Sequence, residues 1–93
     1  MYTSTEVKKR LTRSRLEIFG DILQIAVNGA RKTHIMRQGR LSYTQLEEYL
    51  NLLVEKKLLT VDRKLHLYKT TPEGLQFLKD IDAIKKLLSP VTQ

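Results

Sequence analysis

Ser42-Tyr43-Thr44-Gln45 is the stretch of this chain best equipped to touch another molecule, with two hydroxyls, a phenol and an amide in four consecutive residues. Its spacing is that of a capping box: a serine oxygen accepts from the first helical turn, and a glutamine three residues on reaches back to the cap N–H. Residues so placed stand at the positive end of a helix, beside N–H groups with no partner inside it, where an anion is favoured. Just upstream lie Arg31, Lys32, Thr33, Arg37 and Arg40, with no acid between residues 30 and 40. A second basic pair, Arg63-Lys64, divides two short apolar runs. Guanidinium, ammonium and hydroxyl groups position a phosphate backbone, while amides, phenols and methyls read base edges. Lys32, Thr33, Arg37 and Arg40 are therefore expected on phosphate. Ser42, Tyr43, Thr44 and Gln45 are expected at bases or adjacent phosphate, with Gln45 suited to adenine and Tyr43 or Thr44 to a thymine methyl. Arg63 and Lys64 are expected in a minor groove or on the neighbouring backbone.

Other chemistries find no support. There is no cysteine, hence no disulfide, thiolate or cysteine-bound zinc. The two histidines, His34 and His66, lie in Lys-Thr-His-Ile and Lys-Leu-His-Leu-Tyr, with no ligand-spaced partner, so no metal is expected. No nucleophile elbow, phosphate loop or paired acid–base set is present, so neither a cofactor nor an enzymatic activity is expected. Glu47 and Glu48 complicate the basic face. Helical spacing puts Glu47, Asn51 and Glu55 on one stripe beside Tyr43 and Thr44, and Glu48 further toward solvent. A carboxylate there repels phosphate, although it can accept from a cytosine amino group.

The elements that must position these residues follow from caps and periodicity. Ser14-Arg-Leu-Glu17 is a capping box, and Leu16, Phe19, Ile22, Leu23, Ala26 and Val27 recur at three- and four-residue steps, one face of a helix ended by Asn28-Gly29. A short helix over about Lys32–Gln38 buries Ile35 and Met36 and is stopped by Gly39. A third runs from Ser42 to about Lys56 with Leu46, Leu50, Leu53 and Val54 inward and Tyr49 half-buried, and Leu41 packs under the turn before it. Two helices joined through a glycine stop and a fresh cap make a helix-turn-helix. Leu59–Val61 and Leu65–Lys69 read as strands around a tight Asp62-Arg63-Lys64 turn, a small wing. Thr71-Pro-Glu-Gly74 then opens a last helix, with proline at the first helical position, running to about Leu88 before Ser89-Pro90. The fold expected is mainly α in the α+β class: a winged helix-turn-helix of three helices, a two-stranded wing and a C-terminal dimerisation helix.

This order of elements resembles the small archaeal winged-helix DNA-binding proteins, including the ten-kilodalton basic proteins of thermoacidophilic archaea. The resemblance is carried by Ala30-Arg-Lys-Thr-His-Ile-Met36, Leu41-Ser-Tyr-Thr-Gln-Leu-Glu-Glu-Tyr-Leu50, Leu58-Leu59 and Tyr68-Lys-Thr-Thr-Pro-Glu-Gly-Leu-Gln-Phe-Leu78, and covers roughly residues 15–88. It implies a homodimer joined through the C-terminal helices, each protomer offering one recognition helix and one wing to duplex DNA. Where the family often has basic residues this chain has Glu47 and Glu48, and where a glycine is usual after that helix it has Lys57. Independently, Phe77, Ile81, Ile84 and Leu88 step by four, three and four along one helical seam. A small domain leaving that seam bare would expose an apolar stripe, so these four residues are the expected dimer interface, while Leu75 and Leu78 turn toward the body.

The 93 residues suffice for one domain with a modest core. Residues 1–13 read as a basic flexible arm, 14–71 as the winged helix-turn-helix, 72–89 as the C-terminal helix and 90–93 as a tail. A net charge of +7 favours a polyanionic partner, double-stranded DNA before membrane. No apolar run approaches a membrane span and no signal-peptide core is present, so the expected location is cytoplasmic and nucleoid-associated. The leading expectation is a dimeric duplex-binding transcription regulator or chromatin-type architectural protein. The alternative is a winged-helix interaction module of a larger assembly, with Glu47 and Glu48 marking a face that never meets DNA.

Overall fold

A computed structural model describes residues 13–88. The order is α1 (Arg15–Ile25), α2 (Lys32–Gly39), α3 (Tyr43–Glu55), β1 (Leu59–Asp62), β2 (Leu67–Thr70) and α4 (Pro72–Leu88). This is the expected α+β winged helix-turn-helix: four helices and a two-stranded antiparallel sheet. Both capping boxes form, Ser14 with Glu17 and Ser42 with Gln45, so α1 and α3 start where local side-chain chemistry satisfies their first N–H groups. The residues before Arg13 in the expected arm, and the tail, lie outside the described residues.

The core joins three helices to β1. Ile22 and Leu23 of α1, Ile35 of α2, Leu46, Leu50 and Leu53 of α3, and Leu59 of β1 are all essentially sealed from solvent. Each such side chain contributes about 1.5–3 kcal/mol of transfer free energy. Phe19 and Tyr49 meet edge to face at its margin, centroids 5.5 Å apart. On α1 the buried face is Ile18, Ile22, Leu23 and Ala26, whereas Leu16 is exposed. The stripe expected to begin at Leu16 is turned so that Ile18 leads the buried face, because α2 and α4 pack against that side of α1.

Helix ends show a shared device. After α2, the Arg40 N–H donates to the Arg37 carbonyl and Leu41 N–H to Met36; after α3, Lys57 N–H donates to Val54 and Leu58 N–H to Leu53. Both are Schellman turns, with a left-handed residue followed by an apolar one that folds back. Arg40 (φ 53°) and Lys57 (φ 64°) hold the left-handed position. Gly39 thus does not stop α2, as its sequence position suggested. It is the last helical residue, buried against Leu41 and Ile25.

The hairpin also differs from expectation. Strand pairing runs from Leu59↔Thr70 to Asp62↔Leu67, and the turn is Arg63–His66. Asp62 Oδ1 accepts from the Lys64 and Leu65 backbone N–H groups, and His66 at φ 56° returns the chain to β2. The carboxylate closes a wider turn than sequence spacing indicated and leaves Leu65 exposed at its tip.

β2 is fastened to the end of α1. Ala30 and Tyr68 exchange two backbone hydrogen bonds of 2.8 Å, the Thr70 N–H donates to the Ala26 carbonyl, and the buried Thr70 hydroxyl donates to the Leu23 carbonyl at 2.6 Å. Thr71 caps α4 through its hydroxyl, which accepts from the Gly74 N–H.

On α4 the expected interface divides. Phe77 packs against the core and Ile81 is 5% exposed, its Cδ1 lying 3.5 Å from where a Cβ on Gly20 would stand. These two residues, assigned by spacing to a dimer seam, belong to the protomer's own interior, because α1 lies directly beneath them. Every described residue from Asp82 onward is exposed, including Ile84 (47%), Leu87 (82%) and Leu88 (76%). Leu78 faces the body as expected, but Leu75 is 41% exposed.

Gly74 has the least room of the four glycines. A Cβ there would lie 2.4 Å from the Leu58 carbonyl oxygen and 2.6 Å from Thr70 Cγ2. Gly74→Ala should therefore destabilise the fold by roughly 2–3 kcal/mol through forced separation of α4 from the hairpin, read as a lower urea midpoint.

Candidate nucleic-acid interface

One cleft gathers basic side chains from two separate elements. Arg31, Lys32 and Thr33 line it from the start of α2, and Arg63 and His66 from the hairpin turn, over a floor of Val61 and Tyr68. Its volume is about 420 Å³ and it opens to solvent. The cleft exists because Ala30, immediately before α2, is bonded to Tyr68 of β2, which brings the wing against the α2 N-terminus. Arg31 occupies the N-cap of α2 without making a side-chain cap, so the first-turn N–H groups have no such acceptor. Positive charge, a hydroxyl and a helix N-terminus converge here on one strip of surface.

Around α3, the side chains divide by role. Ser42 and Gln45 are occupied in the capping box, each accepting from the other's backbone N–H at 3.0–3.1 Å. Because Gln45 Oε1 is committed there, pairing with an adenine through both amide atoms requires the cap to open. Tyr43 is 62% exposed and Thr44 is exposed too, so both reach solvent at the helix start.

Lys32 has a partner that sequence spacing did not indicate. Its Nζ lies 2.5 Å from Glu47 Oε2 of α3 and 5.9 Å from the centre of the Tyr43 ring. The two side chains are fifteen residues apart, and only the α2–α3 crossing joins them. The Lys32 ammonium holds the Glu47 carboxyl below its ordinary value of 4.5, with the Tyr43 hydroxyl adding to the effect, and Glu47 raises Lys32 above 10.5. Glu48 is exposed and forms no ion pair with any described residue.

The remaining basic groups are split. Arg37 and Arg40 are exposed at the far end of α2, beside the turn into α3. Lys64 lies at the hairpin tip toward the opposite groove, with Asn28, Gly29 and Leu65. Among the described residues, Arg31, Arg37, Arg40, Arg63 and Lys64 form no ion pair. Arg13 is tied down instead: its guanidinium donates to Asp21 at 2.6 Å and to the Gly39 carbonyl at 2.5 Å, closing the α2 end. It therefore belongs to the domain rather than to the arm in which its sequence position placed it. Arg31, named with the basic run but not among the residues expected on phosphate, lines the cleft, and His66 joins it from outside the expected set. The lysine–leucine–histidine alternation near the hairpin was the available signal for His66, but the register decides which way it faces.

Among the described residues no cluster of three or more His, Cys, Asp or Glu side chains could hold a metal, and no helix is long and apolar enough to cross a membrane. Compared with known protein families, residues 12–89 match the winged helix-turn-helix family. No curated protein matches the chain.

The Lys32–Glu47 pair has a defined pH signature. A carboxyl whose folded value is lowered contributes stability that is fully present above the ordinary value and lost as pH falls through the lowered one. A lysine raised by the same contact contributes below its ordinary value and loses this as pH rises through the raised one. Glu47→Gln should thus be less stable than the unaltered chain throughout the neutral range. The difference should close on acidification below 4.5, measured by urea unfolding at stepwise lower pH.

Proposed function

Because the chain belongs to the winged helix-turn-helix family, we propose that it binds double-stranded DNA as a transcription regulator or chromatin-type architectural protein, located with the nucleoid. The observation that carries this reading is the cleft shared by Arg31 and Thr33 of the α2 start and Arg63 and His66 of the wing. A sugar–phosphate strand seated there would meet two unpaired guanidinium groups and the α2 N-terminus together. Tyr43 and Thr44, exposed at the start of α3, would then lie at the major groove, where a recognition helix presents its N-terminal residues. Arg37 and Arg40 would hold the backbone on the other side. Affinity would come chiefly from phosphate contacts and fall steeply with salt. Lys32 neutralises Glu47, one of the two carboxylates on which a protein-docking face would rest, while Glu48 stays exposed.

The protein acts as a homodimer in this reading, supported by the exposed Ile84, Leu87 and Leu88 at the end of α4. An apolar helix end with no packing of its own is marginal in water and gains from a second copy. A two-fold pair would present two recognition helices to one duplex, so that two weak half-site contacts act as one, as in the ten-kilodalton basic dimers the sequence resembles.

Electrophoretic mobility shift with duplex DNA at low and moderate salt is the direct test. The log–log salt slope should correspond to several phosphates, at about 0.9 per contact. Arg31→Ala and Arg63→Ala should each lower affinity to a similar extent on all sequences and flatten that slope. Failure to bind any duplex at low salt would remove the reading. For the dimer, Ile84→Lys with Leu88→Lys should give a folded monomer with weaker DNA binding, where the unaltered protein sediments as a dimer at tens of micromolar. A monomeric unaltered protein at that concentration would refute the dimer.

A further inference from the structure

Lys32 lines the basic cleft and reaches across to α3, and its ammonium is already occupied. The Nζ meets Glu47 Oε2 at 2.5 Å and hangs over the Tyr43 ring, while Arg31 and Arg63 in the same cleft form no ion pair among the described residues. The paired side chains keep 38% and 33% of their surface exposed, so an incoming phosphate can reach the ammonium and compete for it. We propose that Glu47 is a built-in counterion of the nucleic-acid face: by holding Lys32 it withholds one phosphate contact from sequence-independent binding. This rests on the duplex-binding reading and adds to it a determinant of specificity.

The physical consequence is a ratio of affinities. Phosphate neutralisation supplies essentially all non-specific binding, since every duplex offers the same backbone. Removing one cation from that account lowers binding to all sequences alike. Where a correct site brings a phosphate close, the ammonium can exchange Glu47 for it, at the cost of the internal pair. Meanwhile α3 approaches the bases with the uncharged Tyr43 and Thr44 at its tip, so contact there depends on fit and not on net charge. Glu47 acts through Lys32 and is a positioning residue. Lys32 holds the Glu47 carboxyl below the ordinary value of 4.5, so near neutral pH a competing anion, not a proton, releases the lysine.

A double-mutant cycle with duplex of arbitrary sequence, at roughly 50 and 200 mM salt, tests this with the unaltered chain, Glu47→Gln, Lys32→Ala and the double variant. Glu47→Gln should bind more tightly at the lower salt. Its log–log slope should be steeper by about 0.9, an additional loss of roughly 3.5-fold between the two conditions. Lys32→Ala leaves Glu47 unpaired on the same face and should itself bind more weakly, and the steepening of the slope by Glu47→Gln should be lost in that background. Glu47→Asp, which keeps the charge, should stay closer to the unaltered chain than Glu47→Gln, and circular dichroism should show all variants folded. A Glu47→Gln protein indistinguishable from the unaltered one overturns the proposal. So does a gain of equal size without Lys32, which would mark simple repulsion between Glu47 and phosphate. An unaltered chain that binds no duplex overturns the duplex-binding reading itself, a result distinct from either.

Discussion

The attachment of β2 to the end of α1 is the constraint on which the rest of this structure depends. A helix leaves its last carbonyls without internal partners. In this chain those of Leu23 and Ala26 are taken by the hydroxyl and N–H of Thr70, and Ala30 completes a two-bond bridge to Tyr68. An unsatisfied buried hydroxyl or carbonyl costs more than a formed hydrogen bond contributes, so these contacts fix position more firmly than their net energy suggests. With β2 held there, β1 must lie where Leu59 enters the core, and the hairpin turn must face the start of α2. The basic cleft follows from this backbone geometry.

A second set of contacts fixes the angle between α2 and α3. The Schellman turn through Arg40 aims Leu41 into the core, and the Arg13 guanidinium spans from Asp21 to the Gly39 carbonyl. The crossing this creates brings Lys32 within reach of Glu47. Stability and function therefore share the same few degrees of freedom. A shift of α2 large enough to open the core at Ile35 would also separate the ion pair and move Tyr43. Electrostatics here is a product of packing, because an exposed pair of this kind is too weak to set a helix crossing by itself.

α4 shows how a single helix serves two surfaces. Gly74 lets its first turn touch the Leu58 carbonyl, and Phe77, Leu78 and Ile81 then bind it to the body. Beyond Ile81 the helix continues without support from α1, exposing Ile84, Leu87 and Leu88. The heptad-like spacing of Phe77, Ile81, Ile84 and Leu88 describes one continuous stripe, but that stripe crosses the boundary between protomer core and free surface.

What the sequence determined by itself is the local part. The capping boxes at Ser14 and Ser42, proline after Thr71, and the three- and four-residue apolar steps place all four helices and the hairpin. These signals act between neighbours a few residues apart, so they are legible without a fold. The basic character of Arg31–Arg40 and the exposed start of α3 were legible for the same reason. The tertiary structure alone decided the rest. It set the hairpin register through Asp62, selected Ile18 over Leu16 as the buried face, and moved Phe77 and Ile81 into the protomer. It also bound Arg13 to the α2 end, joined Arg31 to His66 across the cleft, and paired Lys32 with Glu47. Each of these depends on residues far apart in the chain meeting at distances of a few ångströms, and helical or strand periodicity carries no record of which distant face will be opposite.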